Sequence, residues 1–214
     1  MTFSVPSTNT FVELAKGRRS VYGITNTSPV PDSEIEQLVK EALLHVPSCF
    51  NTQSTRLVLL LHEQHEKYWD TVLAVMKALV DNGTVPEAQW TSFTKPKLEG
   101  FKAGYGTVLF YEDPAHLPGL IAQFPLYKDA FPGWTDHTNA MHQYFLWTGL
   151  ESLGFGASLQ HYNPIVDEKV AAAFDIPTEW RLVAQMPFGT PTGPAGEKTY
   201  KPIEDRMKVF GKKA

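Results

Sequence analysis

The sequence predicts an α+β domain built on a mixed sheet wrapped by helices. Helical and strand patterns alternate along the chain, but few connections have the form of a tight βαβ repeat. The 214 residues are 43% apolar and 12% aromatic, enough for one sizeable core, so a single domain over 1–214 is expected. The chain also runs well past its last strand pattern. Residues 190–214 are rich in Gly, Pro and Lys yet carry Ile203, Met207 and Val209. A tail with that much apolar surface is expected to pack on a neighbouring subunit.

The elements follow in order. Ser7 or Thr8 caps a first helix through Phe11, Val12, Leu14 and Ala15, which Gly17 ends. Ser33 and Glu36 form a capping box for a second helix, with Ile35, Leu38, Val39, Ala42, Leu43 and Val46 at helical spacing. Pro47 stops it. Arg56 to His62 reads as a buried strand, His65 to Val80 as an amphipathic helix ended by Asn82-Gly83, and Pro86 to Phe93 as a short helix. A strand spans Thr107 to Tyr111. Phe124 to Trp134 is aromatic and irregular, and Asp136 to Leu153 carries the longest helical pattern. Gly154 and Gly156 lead into a strand from Ala157 to Tyr162. A helix over Asp167 to Phe174 and a strand over Arg181 to Met186 complete the core.

Bulk properties exclude several function classes. A net charge of −4 provides no field for nucleic acid or an anionic membrane. The single cysteine, Cys49, rules out an internal disulfide and metal sites built from several thiolates, and one free thiol suits a reducing compartment. Met1 to Pro6 has no basic and apolar signal-peptide regions, and runs such as Leu57 to Leu61 are too short to span a bilayer. A cytoplasmic location is expected. His62-Glu63-Gln64-His65 brings its second histidine one residue too early for a zinc protease and reads as a surface helix start. Gly154-Phe155-Gly156 lacks a third glycine and follows a helix, so it is no dinucleotide fingerprint. No metal site is expected.

Four stretches carry chemistry. Arg18-Arg19-Ser20 offers two guanidiniums and a hydroxyl, the groups that clamp a phosphate; alone it equally describes a basic helix end. Pro47-Ser48-Cys49-Phe50-Asn51-Thr52-Gln53-Ser54-Thr55-Arg56 sets hydroxyls and amides in a short loop. Asn and Gln each donate and accept, which suits a planar polar ligand, and the loop also suits plain turn chemistry. Gln160-His161-Tyr162-Asn163 crowds polar groups at the carboxyl end of a strand, where open sheets place ligands. Lys198, Lys201 and Arg206 make the tail basic, as a solvated tail would also be.

Taken together and in this order, these stretches resemble the FMN-dependent nitroreductase family. The resemblance rests on Arg18-Arg19-Ser20, on Pro47-Ser48-x-x-Asn51-x-Gln53 with Arg56, on Leu153-Gly154-Phe155-Gly156 and on the basic tail. More closely, Glu66-Lys67-Tyr68-Trp69-Asp70 and Ser158-Leu159-Gln160-His161-Tyr162-Asn163-Pro164 are similar to the branch that holds the fungal fatty acid repression proteins and small bacterial relatives.

The resemblance implies the nitroreductase fold: a central mixed or antiparallel sheet flanked by helices, in a homodimer with two FMN sites at the interface and tails exchanged across it. It implies ping-pong transfer from NADH or NADPH through flavin N5 to nitroaromatics, quinones or related electrophiles. The flavin carries the chemistry, so no catalytic side chain is assigned. It implies that Arg18, Arg19 and Ser20 hold the ribityl phosphate with Lys198, Lys201 or Arg206. Pro47, Ser48, Cys49, Phe50, Asn51 and Gln53 then line the ring, in part from the partner, with Cys49 as wall and not nucleophile. A backbone N–H in the Gln160, His161, Tyr162, Asn163 stretch reaches N5. Phe124, Tyr127, Phe131 and Trp134 form the wall over the flavin face, or else ordinary core. Many relatives have a cation where this chain has Tyr22, so either Arg18 or Arg19 covers that charge or the flavin is harder to reduce. The alternative reading is a flavin-binding stress or lipid-signalling regulator with incidental turnover.

Overall fold

The computed structural model describes residues 8–213. Helix α1 (Thr8–Gly17) runs into the Arg18–Ser20 stretch; of the two expected caps, Ser7 lies outside the described residues and Thr8 is the first residue of the helix. Strand β1 (Ile24–Thr25) precedes α2 (Asp32–His45). The expected Ser33–Glu36 capping box is absent: Pro31 occupies the N-cap with φ −61°, and Ser33 lies inside the first turn. Asp32 and Glu34 complement the helix N-terminus electrostatically instead.

Strand β2 (Thr55–Leu61) passes directly into α3 (His62–Asp81), three residues earlier than the pattern suggested. The short helix expected near Pro86 is the start of a longer helical run: α4 (Glu87–Gln89), a π turn over Trp90–Thr94, and α5 (Lys95–Lys102). After β3 (Gly106–Glu112) come α6 (Leu117–Gln123) and α7 (Phe131–Ser152), so the segment expected to be irregular is entered by a helix from Phe131 onward. Strand β4 (Gly156–Ala157), α8 (Asp167–Phe174) and β5 (Arg181–Pro191) complete the fold.

The sheet order is β1-β5-β3-β2, with β4 also on β5, and every ladder is antiparallel. The strand expected to reach Tyr162 stops at Ala157 because the chain peels away from β5. Gln160 still bridges Gln185, but the Gln185 side chain then replaces the ladder, its Oε1 accepting the Tyr162 N–H at 2.8 Å.

Strand β3 reads as a continuous apolar run because it is buried on both faces. Val108 and Phe110 meet Ile35 and Ala42 of α2 and Leu146 and Leu150 of α7. Leu109 and Tyr111 meet Tyr68, Trp69 and Val72 of α3 with Leu98 and Phe101 of α5. Each large side chain so buried contributes roughly 1.5–3 kcal/mol. His65 belongs to this second core and is fully buried, not on a helix surface as its motif suggested. Its Nδ1 lies 2.8 Å from Thr107 Oγ1, which also accepts from Trp69 Nε1 at 2.9 Å.

Beyond Pro191 no further strand forms among the described residues. Tyr200, Ile203, Met207, Val209 and Phe210 are exposed, Phe210 by 89%. No helix among the described residues is long and apolar enough to cross a membrane.

Candidate functional site

The Arg18–Ser20 stretch is threaded between α7 and β4. The Arg19 N–H donates to Glu151 Oε2 at 3.0 Å, and Trp147 Nε1 donates to the carbonyls of Arg19 and Ala157, both at 3.2 Å. Ser20 makes a parallel bridge to Ala157, and the Val21 N–H reaches the Ala157 carbonyl at 2.9 Å. Position 156 must be glycine here: a Cβ would sit 2.7 Å from Val21 Cγ1. Burial pushes the Glu151 carboxyl up, partly offset by the Arg19 N–H and the two guanidiniums.

That scaffold leaves the clamp chemically open. The Arg18 guanidinium lies over the Trp147 ring, 4.4 Å from its centroid, and makes no hydrogen bond among the described residues. The Ser20 hydroxyl is also unbonded among them, while the Arg19 guanidinium donates to the Gly196 carbonyl and so ties the tail to the clamp.

The bridge to Ala157 brings Ser158 to Asn163 beside the clamp. Gln160 faces inward, buried, with its amide on Ser158 Oγ at 3.1 Å. Tyr162 points into the α3 core, 5.8 Å edge-on from Trp69, and burial pushes its phenol up to about 12. Packing turns both side chains inward, away from the position the sequence assigned them. The backbone N–H groups of His161 and Asn163 have no partner among the described residues, so they are the donors this turn offers.

The Pro47–Arg56 loop is strained. Phe50, Asn51 and Gln53 have φ of 53°, 53° and 49°, the left-handed region that side chains rarely adopt. Each costs of order 1 kcal/mol or more and persists only where surrounding contacts impose it. Here the Gln53 N–H donates to Ser48 Oγ at 2.9 Å, and the Asn51 N–H to the Ser48 carbonyl at 3.0 Å. The result aims the Asn51 and Gln53 amides outward, exposed and unbonded among the described residues. Thr52 Oγ1 is buried without a partner. Burial pushes the Cys49 thiol up, the opposite of nucleophile activation. Arg56 serves structure: it pairs with Asp113 at 2.8 Å and reaches back to the Gln53 carbonyl at 2.7 Å.

The aromatic segment converges on this loop. Phe50 stacks on Phe124 at 5.0 Å and lies 6.1 Å from Phe131 and 6.4 Å from Trp134, which Tyr127 approaches at 5.6 Å. Phe131 is buried and belongs to the core, whereas Phe124 and Trp134 are half-buried and Tyr127 is exposed.

Two groups of expected site residues do not meet within one chain. The loop is anchored at Thr138 through the Cys49 N–H (3.4 Å) and the clamp at Trp147, nine residues further along α7 and so about 13–14 Å away. The tail cations do not join the clamp either. Lys198 lies over its own Tyr200 ring, and Arg206 donates to the Lys201 carbonyl.

Tyr22 is exposed at the junction of two clefts. One, of about 230 Å³, is lined by Ser20 to Gly23 and Thr192 to Gly196; the other, of about 470 Å³, by Tyr22, Phe93, Pro96, Lys97 and Gly100. Lys97 has no ion pair among the described residues; its Nζ lies 5.8 Å from the Phe93 ring and 5.6 Å from the Phe101 ring. It puts a cation on the same cleft as Tyr22, a candidate the sequence reading did not name beside Arg18 and Arg19. Nothing at helical spacing marked it, because the two residues are 75 positions apart and meet only as walls of one cleft. Among the described residues no cluster of His, Cys, Asp and Glu could hold a metal ion.

The Nitroreductase family model matches residues 15–190. The chain belongs to the nitroreductase family. Among its relatives, the putative nitroreductase HBN1 of Saccharomyces cerevisiae is 34% identical over 94% of this chain and 97% of its own length. The nitroreductase FRM2 of the same yeast is 32% identical over 90% of this chain and 94% of its own. Solved structures of the nitroreductase CinD from Lactococcus lactis, in complex with chloramphenicol and with 4-nitrophenol, are 37% identical to this chain. They cover 94% of it and 99% of their own chains, with TM-scores of 0.83 and 0.82. This nitroreductase-family chain is therefore a nitroreductase-type oxidoreductase, on an antiparallel version of the expected fold.

Proposed function

We propose that the chain is an FMN-dependent reductase that uses NADH or NADPH to reduce nitroaromatics, quinones or related electrophiles, working as a homodimer. The observation that carries this reading is the pairing of Ser20 with Ala157. It sets an unbonded Arg18 guanidinium and Ser20 hydroxyl beside a turn whose His161 and Asn163 N–H groups are also unbonded. An anion clamp next to directed backbone donors suits a phosphate-bearing, ring-bearing cofactor. FMN, when bound, supplies the redox chemistry; the protein supplies position and electrostatics.

In this reading Arg18 and Ser20 hold the phosphate and ribityl end, completed by Lys198, Lys201 or Arg206 once the tail is seated. The His161 or Asn163 N–H orients the ring. Lys97 takes the place of the cation missing at Tyr22 and faces negative charge at the ring's polar edge. Ser48, Asn51 and Gln53 reach the ring from a second copy, which accounts for their separation from the clamp along α7. Phe50, Phe124, Tyr127 and Trp134 exclude water from the reacting face and present flat apolar surface to an aromatic oxidant. Two of the ligands seen in CinD, chloramphenicol and 4-nitrophenol, are nitroaromatic and support that substrate class; a third, nicotinic acid, is not.

The homodimer is supported by exposed apolar surface. A cleft of about 640 Å³ is lined by Phe11, Leu14, Pro47, Met141, Tyr144 and Phe145, and the tail displays Ile203, Met207, Val209 and Phe210. The test is reconstitution with FMN, then anaerobic stopped-flow reduction by NADH and by NADPH, then reoxidation by a panel of nitroaromatics and quinones. Stoichiometric FMN uptake and reduction faster than that of free FMN are expected. A colourless protein that takes up no FMN would sink the proposal.

A further inference from the structure

The left-handed conformations of Phe50, Asn51 and Gln53 need an anchor, and the turn's own hydrogen bonds are not enough to fix it against the sheet. The anchor lies at the carboxyl end of β3. Glu112 is 3% exposed, and its carboxyl group accepts three hydrogen bonds. Ser54 Oγ donates to Oε2 at 2.6 Å, Thr55 Oγ1 to Oε1 at 2.6 Å, and Asn139 Nδ2 to Oε1 at 2.9 Å. Asn139 in turn accepts from Gln143 Nε2 at 2.7 Å and donates to the Tyr111 carbonyl at 3.2 Å. The neighbouring Asp113 holds Arg56, whose guanidinium bonds the Gln53 carbonyl, and the Asp113 N–H donates to the Ser54 carbonyl at 3.0 Å.

One buried side chain therefore ties together the loop stem, the end of β3 and the middle of α7. The same helix carries Thr138, under Cys49, and Trp134, beside Phe50. A buried carboxyl group is stable only when its bonding is satisfied, and here two donors come from the loop stem, Ser54 and Thr55, and the third from α7. We propose that Glu112 is a positioning residue: through Ser54 and Thr55 it holds the Ser48–Gln53 turn in its left-handed, ligand-facing conformation relative to α7. The link to the cofactor rests on the reading of that turn as a ring contact; the mechanical role does not.

Glu112→Ala is the direct test. Ser54→Ala is the milder one, since it leaves the carboxyl group bonded to Thr55 and Asn139 if the first variant does not fold. Hydrogen exchange of the Asn51, Thr52 and Gln53 amides should quicken at least about tenfold in Glu112→Ala, with a smaller change in Ser54→Ala. The Leu57–Leu60 and Val108–Phe110 ladder amides should change much less. FMN affinity, titrated into apoprotein by flavin fluorescence, should weaken by at least about tenfold in Glu112→Ala. Loop and ladder amides quickening together would make Glu112 a general stability residue and overturn the proposal. So would an unchanged turn; a loosened turn with unchanged FMN affinity would uphold the mechanical role and remove the turn from the ring site. If the unmutated protein binds no FMN, the cofactor reading fails, and the exchange data alone decide whether Glu112 anchors the turn.

Discussion

Acidification should destabilise this fold through His65 alone by ~2.5 kcal/mol between about pH 7.5 and about pH 4.5. The imidazole is fully buried, and its partners fix the tautomer. The Lys102 carbonyl, 3.2 Å from Nε2, can only accept, so Nε2 carries the proton and Nδ1 accepts from Thr107 Oγ1 at 2.8 Å. A second proton would turn Nδ1 into a donor facing a hydroxyl already committed to it. Burial accordingly lowers the imidazole from 6.5 to about 4. Between those values the unfolded chain binds a proton that the folded chain does not, so stability falls as pH falls through this window and levels off below about 4. The gap is worth at most ~3.4 kcal/mol. Burial also depresses His142, with the same sign, so the effect must be isolated by substitution. Urea unfolding followed by tryptophan fluorescence, at fixed protein concentration, should give a pH profile for His65→Gln flatter than that of the parent by ~2.5 kcal/mol over this range. Parallel profiles for the two proteins would refute the reasoning.

Other expectations concern the site. Arg18→Ala should weaken FMN binding by about 1.5–3 kcal/mol if the guanidinium meets the phosphate; unchanged retention in a fluorescence titration would remove Arg18 from the site. Lys97→Met should weaken FMN binding and slow anaerobic reduction, with Lys97→Arg restoring both; a rate indifferent to charge at this position would leave Tyr22 without a substitute cation. At Gly189 a Cβ would come 2.1 Å from the Thr25 carbonyl oxygen, a backbone clash that side-chain movement cannot relieve. Gly189→Ala should therefore cost about 2–4 kcal/mol in urea unfolding, since β1 must separate from β5. Deleting residues 197–214 should shift the protein toward monomer in sedimentation velocity and lower FMN occupancy; an intact, fully loaded dimer would show that the tail is dispensable for assembly.

Element types were largely legible in the sequence because burial imposes period on side chains. The α8 span was read to the residue, and the α3 and β3 patterns lay close to their observed bounds. Where a side chain competes with the backbone, the pattern misled. Gln185 captures the Tyr162 N–H and ends β4 early, and Pro31 pre-empts the capping box at Ser33. The clamp Arg18-Arg19-Ser20 and the loop from Pro47 to Gln53 could be picked out as residue types, because hydroxyls, amides and guanidiniums declare their hydrogen-bonding capacity wherever they stand. Their use could not. Gln160 and Tyr162 look as available as His161 in sequence, and only packing turns them inward.

By itself the sequence determined the chemical inventory: one buried sheet, one thiol, an anion clamp, an amide-rich loop and an apolar basic tail. The family follows from their order. Tertiary structure decided which of those groups stay free. It bonded Arg56 to Asp113, buried Gln160, and left Arg18, the His161 N–H and Lys97 unbonded among the described residues. It also brought Glu112 beneath Ser54 and Thr55, more than fifty residues away along the chain. The physical reason is that local propensity acts within a turn or two, whereas a hydrogen bond across β3 or α7 depends on every element packed between its partners.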